Sequence, residues 1–261
     1  MKKLDAIPFI FIVGRPRSGT TLLMSLFDAH PNVSIPPECQ FIVNLYSKYK
    51  NTTNWPESKI DEFINDLKLQ WRFDIWKVDL QVLKQDLLKF NENITYSEVC
   101  KCVYYLNKSV FPKDDILALG DKNPGYTIYT ERLLKIFPNA KFIHIVRDYR
   151  DNLVSIKNVD FEIPITSMVV YKWTYFIKRF NKAMKKFPES HYTIKYEDLV
   201  SNPEEELKKI CEFAGVEFKK DVFNFHEKAP EALKMYPTEI MQKYFASLLQ
   251  KLNHYGLKSI G

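Results

Sequence analysis

At 261 residues, with 46% apolar and 27% charged side chains, the chain is long enough for one well-buried α/β core and has a globular composition. A net charge of +6, without a run of like charge or a basic stripe interleaved with aromatics, suits an anionic small ligand and argues against a nucleic-acid reader. No apolar run approaches the roughly 20 residues of a membrane span. Cys39, Cys100, Cys102 and Cys211 are scattered without a second ligand pair, so they read as buried thiols of a reducing compartment, by default the cytoplasm.

The basic opening Met1-Lys2-Lys3 followed by apolar residues faintly resembles a signal peptide. The run breaks at Gly14-Arg15 without a small-residue cleavage site, and it is needed as a core strand over residues 9–13. After it comes Gly14-Arg15-Pro16-Arg17-Ser18-Gly19-Thr20-Thr21, and then Leu22, Leu23, Leu26 and Phe27 resume at helical spacing. Strand, glycine-bracketed turn and helix is the geometry in which backbone N–H groups converge on an anion at a helix N-terminus. The spacing G-x-x-x-x-G is that of a P-loop, but Thr20 stands where nucleotide triphosphatases carry the lysine that reaches the β- and γ-phosphates. With Arg17 inside the loop, the ligand expected is one phosphate-like group rather than a triphosphate–metal complex. A plain helix cap with Ser18 as N-cap is the alternative.

Residues 41–111 have a different texture and read as a helical insertion after the first βα unit. Pro56 opens a segment with Ile60, Phe63, Ile64 and Leu67 on one face, and Thr95-x-x-Glu98 is a capping box ahead of Val99 and Val103. Further strands are expected over residues 116–119, 141–146 and 191–195, short apolar runs suited to a parallel sheet covered on both faces. A helix carrying Leu133 and Leu134 should follow Gly125. A longer one over 166–187 should face Val169, Trp173, Phe176, Ile177 and Phe180 inward, and another should run from Asn202-Pro203 to Gly215. The fold class is therefore α/β: a P-loop-like, open parallel sheet flanked by helices, in a single domain over residues 1–261.

A second strand-to-helix junction, Val146-Arg147-Asp148 followed by Ser155, puts an arginine at the carboxyl end of a strand, where open parallel sheets bind ligands. Pairing of Arg147 with Asp148 or Asp151, and a solvated Ser155, are the structural alternatives. Together the two segments resemble the phosphosulfate-dependent sulfotransferase family. The resemblance implies that Arg17, Ser18, Gly19, Thr20 and Thr21 hold the 5′-phosphosulfate of PAPS (3′-phosphoadenosine 5′-phosphosulfate). It implies likewise that Arg147 and Ser155 bind the ribose 3′-phosphate, with PAP as product and no metal. Leu26-Phe27-Asp28-Ala29-His30-Pro31-Asn32-Val33 leading to Glu38, and Asp121-Lys122-Asn123-Pro124, resemble the protein-tyrosine sulfotransferase branch and its bacterial relatives. By that likeness Glu38 is the general base, Lys122 and Arg17 stabilise the leaving bisphosphate, and Tyr196 lines the nucleotide site. His30, before Pro31 at a helix end, is the reserve base.

The glutamate pair typical of the tyrosine-directed branch is Pro37-Glu38 here, and the chain lacks an apolar run of the length of the Golgi members' anchor helix. The bland readings are a Glu38 that caps the next helix, a Lys122 that pairs with Asp121 in a turn and a Tyr196 that is a core aromatic. The expected activity is sulfuryl transfer from PAPS to a hydroxyl or amine of a peptide tyrosine, carbohydrate, lipid or small molecule. A P-loop small-molecule kinase and an inactive nucleotide- or sulfated-glycan-binding protein are the alternatives.

Overall fold

The computed structural model describes residues 4–90, 94–159 and 161–227. In chain order the elements are β1 (Phe9–Gly14), α1 (Thr20–Asp28), β2 (Val33–Ser34), α2 (Phe41–Tyr49), α3 (Glu57–Lys68), α4 (Leu80–Lys89) and α5 (Tyr96–Tyr105). Then follow β3 (Ala118–Lys122), α6 (Thr130–Ile136), β4 (Lys141–Val146), α7 (Tyr149–Ile156), α8 (Thr166–Met184), β5 (His191–Lys195), α9 (Tyr196–Ser201) and α10 (Pro203–Ala214). The strands form a five-stranded sheet of order β2-β3-β1-β4-β5 with every pair parallel. None of the helices among the described residues is long and apolar enough to cross a membrane.

β1 is buried along its whole length, and strand alternation divides its side chains between two cores. Phe9, Phe11 and Val13 join the layer that takes in α2–α6 and the Phe180 end of α8, while Ile10 and Ile12 join the layer of α1, α9 and α10. The helices between β2 and β3 share the first of these cores: Ile60, Phe63, Ile64 and Leu67 of α3, and Val99 and Val103 of α5, belong to the same cluster as Phe9 and Phe11. Phe9 is the junction, its ring 4.9 Å from that of Tyr104 and 4.4 Å from that of Phe137.

Local chemistry sets several boundaries. Thr95 and Glu98 form the expected capping box of α5. Pro203 opens α10, and Gly215 ends it in the left-handed conformation at φ 78°. One strand was not foreseen and three expectations are corrected. β2 spans two residues, too short to leave a periodic signal. β3 runs to Lys122 rather than ending at residue 119, because Gly120 and Asp121, polar or turn-like in sequence, fit a buried strand. A Cβ on Gly120 would lie 2.8 Å from Ile35 Cδ1, and Asp121 is hydrogen-bonded on the opposite face. α8 ends at Met184, and Trp173, Phe176 and Ile177 are half-buried where Val169 and Phe180 are fully buried. Finally, the N-cap of α1 is Gly19, not Ser18, with φ 96° and no side-chain cap.

Candidate active site

The carboxyl ends of β1, β3, β4 and β5 lie side by side, and each delivers a residue to one rim. Strand registers pair Ile12 with Lys122, Gly14 with Ile145 and Val146 with Lys195. The loop after β1, the last residue of β3, Arg147 after β4 and Tyr196 after β5 are thereby neighbours. β1 has β3 on one side and β4 on the other, the switch point at which open parallel sheets bind ligands.

The loop is tightly over-determined. Gly14 approaches β4 so closely that a Cβ would sit 2.4 Å from the Ile145 carbonyl, and its amide donates to Thr127 Oγ1 at 2.8 Å. Ser18 N donates to the Arg15 carbonyl at 3.2 Å, which closes a turn with Arg17 at φ 70°. A non-glycine residue in that region is held there by its surroundings, and such strain gathers at ligand sites. A Cβ on Gly19 would lie 2.3 Å from Tyr196 Cδ2, so the ring and the loop backbone are in contact. The first turn of α1, without a side-chain cap, directs its backbone N–H groups at the loop.

Arg17 and Arg147 meet across this loop. Arg17 Nε donates to Ser155 Oγ at 3.0 Å, and Arg147 Nη1 donates to the Arg17 carbonyl at 3.2 Å. The Arg147 guanidinium lies over the Tyr196 ring, 4.6 Å from its centroid, and its Nε is buried without a hydrogen-bond partner among the described residues. Asp148 does not pair with it. That carboxylate caps α7 through Arg150 N and binds the Arg150 side chain, whose bonds hold it down at about 2. Three residues with no site role in the sequence expectations hold the frame. Asn152 Nδ2 donates to the Pro16 carbonyl at 2.8 Å, Trp173 Nε1 donates to the Arg147 carbonyl at 2.9 Å, and Thr127 clasps Gly14. Asn152 lies one helical turn before Ser155, so its shared face was legible. Thr127 and Trp173 carry no local signal.

Lys122 is 5% exposed and reaches Thr21 Oγ1 at 3.4 Å as well as the Glu38 carboxylate. Alternation along β3 sends Lys122 to the α1 side and Asp121 to the other, where Tyr104 OH and Asn123 Nδ2 donate to it. Lys122 therefore pairs with Glu38 and not with Asp121. Burial raises the Asp121 carboxyl to about 7 against those two bonds. Glu38 does not cap α2, whose N-cap is Gln40 without a side-chain bond. Its loop is fixed by Trp76 Nε1 on the Pro37 carbonyl at 2.9 Å and by Asn123 Nδ2 on the Cys39 carbonyl at 3.3 Å. His30 sits elsewhere, past the far end of α1. Its Nε2 is 2.7 Å from the Glu217 carbonyl, Asn32 N donates to its Nδ1, and burial lowers its pKa. With both ring nitrogens engaged away from the rim, His30 is structural, which removes the reserve base. No group of three or more potential metal ligands occurs among the described residues. The four cysteines are free and buried.

A strand–loop–helix turn beside Arg147, on a parallel sheet whose strand order reverses direction at β1, defines a P-loop-like α/β class, and comparison with known proteins gives the family. Residues 8–220 match the model described as "Sulfotransferase family", and the chain belongs to that family. A protein-tyrosine sulfotransferase of Drosophila melanogaster is 26% identical over 227 residues, covering 85% of this chain and 40% of its own length. A putative protein-tyrosine sulfotransferase of Caenorhabditis briggsae is 25% identical over 228 residues, 84% of this chain and 69% of its own. The chain thus spans well under half of the Drosophila relative. Among solved structures, the sulfotransferase domain of the Synechococcus PCC 7002 olefin synthase aligns with TM-score 0.57 and 22% identity over 84% of this chain and 76% of that one. The sulfotransferase domain of the curacin biosynthetic pathway aligns with TM-score 0.52 and 23% identity, over 84% and 77%. At that identity the likeness is one of fold.

Proposed function

We propose that this chain is a sulfotransferase, a single domain that moves a sulfuryl group from PAPS to an acceptor hydroxyl or amine. The observation that carries the reading is the meeting of Arg17, Ser155, Arg147 and Tyr196 on one rim, beside the Lys122–Glu38 pair. A nucleotide with isolated anionic groups at its 5′ and 3′ positions needs two separate cation pockets. The Nε of Arg147, buried without a partner among the described residues, and the uncapped start of α1 are donors suited to those groups. The residues present therefore fit this donor.

In the reaction, the acceptor oxygen attacks sulfur, the bond from sulfur to the 5′-phosphate oxygen breaks, and the acceptor's proton passes to Glu38. Arg17, Lys122 and the loop N–H groups neutralise charge growing on the departing phosphate in a site where Lys122 is already shielded from water. Glu38 and Lys122 hold each other before substrates arrive, which keeps both side chains in place. Ser18, Gly19, Thr20 and Thr21 line the 5′ end of the cradle, and no metal enters the reading. Relatives named protein-tyrosine sulfotransferases make a peptide tyrosine the first acceptor to try, ahead of carbohydrates, lipids and small molecules. Four buried thiols suit a reducing compartment, and the proposal includes a cytoplasmic location.

Transfer of radiolabelled sulfate from PAPS to such acceptors tests the reading. Glu38→Gln, Lys122→Ala and Arg17→Ala should each lower turnover by about a hundredfold or more, the scale of losing a transition-state donor or a general base. Phosphate transfer from ATP–Mg²⁺, or bisphosphate binding with no transfer to any acceptor class, would replace this proposal with a kinase or a binding protein.

A further inference from the structure

We infer that Glu162, a residue outside every motif in the sequence, positions the phosphate loop through its buried ion pair with Arg15. The inference rests on the reading of that loop as the donor-binding element. Arg15 stands among the loop's cationic residues, yet its guanidinium is buried and paired with Glu162. Nη2 meets Glu162 Oε1, the side chains are only 4% and 5% exposed, and Phe176 lies beneath the guanidinium at 5.5 Å. Lys172 Nζ, on α8, is 3.3 Å from the same carboxylate oxygen. Arg15 Nε is buried without a partner among the described residues, so Glu162 is what makes burial of this cation tolerable.

The Arg15 carbonyl accepts the Ser18 amide, and between them Arg17 takes its left-handed conformation. Anchoring Arg15 therefore fixes the first residue of the turn that aims Arg17 at Ser155. The same helix acts at the other pocket, where Trp173 Nε1 binds the Arg147 carbonyl. α8 and the residues leading into it thus brace both ends of the proposed nucleotide site, with Glu162 and Phe176 at one and Trp173 at the other. Arg15 contributes its charge to this brace and none to the ligand.

Removing one partner strands a buried charge, so the informative variant replaces both, Arg15→Leu with Glu162→Leu. Three readouts are taken on the full chain: the melting temperature, hydrogen exchange of the amides of residues 16–20 without ligand, and calorimetric affinity for adenosine 3′,5′-bisphosphate. A positioning role predicts a folded double variant whose loop amides exchange about tenfold faster, while β1 amides are unchanged. It also predicts bisphosphate affinity about tenfold weaker. A folded double variant with unaltered loop exchange and affinity overturns the inference. Should that variant fail to fold, Glu162→Gln, which keeps shape and loses charge, is read by the same exchange and affinity changes, and their absence is equally fatal. A parent chain that binds no bisphosphate, together with faster loop exchange in the variant, refutes the donor reading and leaves the brace standing.

Discussion

Gly19 shows how little freedom the rim leaves a single residue. A methyl group there meets the Tyr196 ring at 2.3 Å, and the backbone sits at φ 96°. Gly19→Ala must either push Tyr196 off the Arg147 guanidinium or open the loop. We expect it to cost about 1–3 kcal/mol of stability and most of the nucleotide affinity, checked by thermal unfolding and calorimetry. Asp121 gives a prediction in pH. Its carboxyl is raised by burial from 3.8 to about 7, so the folded state holds a proton that the unfolded chain has lost. Its contribution to stability is present at low pH and falls away as pH rises from about 4 to about 7. Buried His144, lowered to about 3, acts in the opposite sense, its contribution being lost as pH falls below about 6.5. The two partly cancel in the parent, so the telling quantity is the difference from Asp121→Asn. The stability of the parent minus that of the variant should decline across pH 4–7 and level off above. A flat difference in unfolding titrations would show that Asp121 is ionised throughout.

Among the elements, the helices between β2 and β3 do more than enlarge the core. Trp76, fully buried, holds the Pro37 carbonyl and with it the start of the Glu38 loop. Trp76→Phe keeps an aromatic body and drops one buried bond, at a cost of about 1–3 kcal/mol. In unfolding and rate measurements we expect that loss alongside reduced turnover and unchanged bisphosphate affinity, because the proposed nucleotide pockets lie across β1. An unchanged rate would detach these helices from catalysis. This scale also shows what the sequence made readable. β1 with its loop, and β4 running into α7, announce themselves because apolar runs abut glycine or arginine, and the arginines do meet. β2 leaves no signal at two residues. β3 is obscured because Gly120 and Asp121 are buried through contacts with Ile35, Tyr104 and Asn123 that no local pattern contains. His30 drew attention as a histidine after a helix, but its role is set by the remote Glu217 carbonyl. Glu162, Trp173 and Thr127 are likewise tertiary facts, each acting on a chain segment more than twenty residues away.

For the molecule as a whole, sheet order makes the site. With β1 between β3 and β4, the first strand carries the proposed anion loop between Lys122 on one side and Arg147 on the other. A reordered sheet would scatter the same residues. The central claim is that the two arginine pockets grip opposite ends of one nucleotide, and calorimetry on Arg147→Ala tests it most directly. Adenosine 3′,5′-bisphosphate should lose about tenfold or more in affinity, the worth of a charge-assisted contact, while adenosine 5′-monophosphate, which lacks the 3′-phosphate, should bind the variant as it binds the parent. Equal weakening of both nucleotides, or no weakening of either, would contradict it.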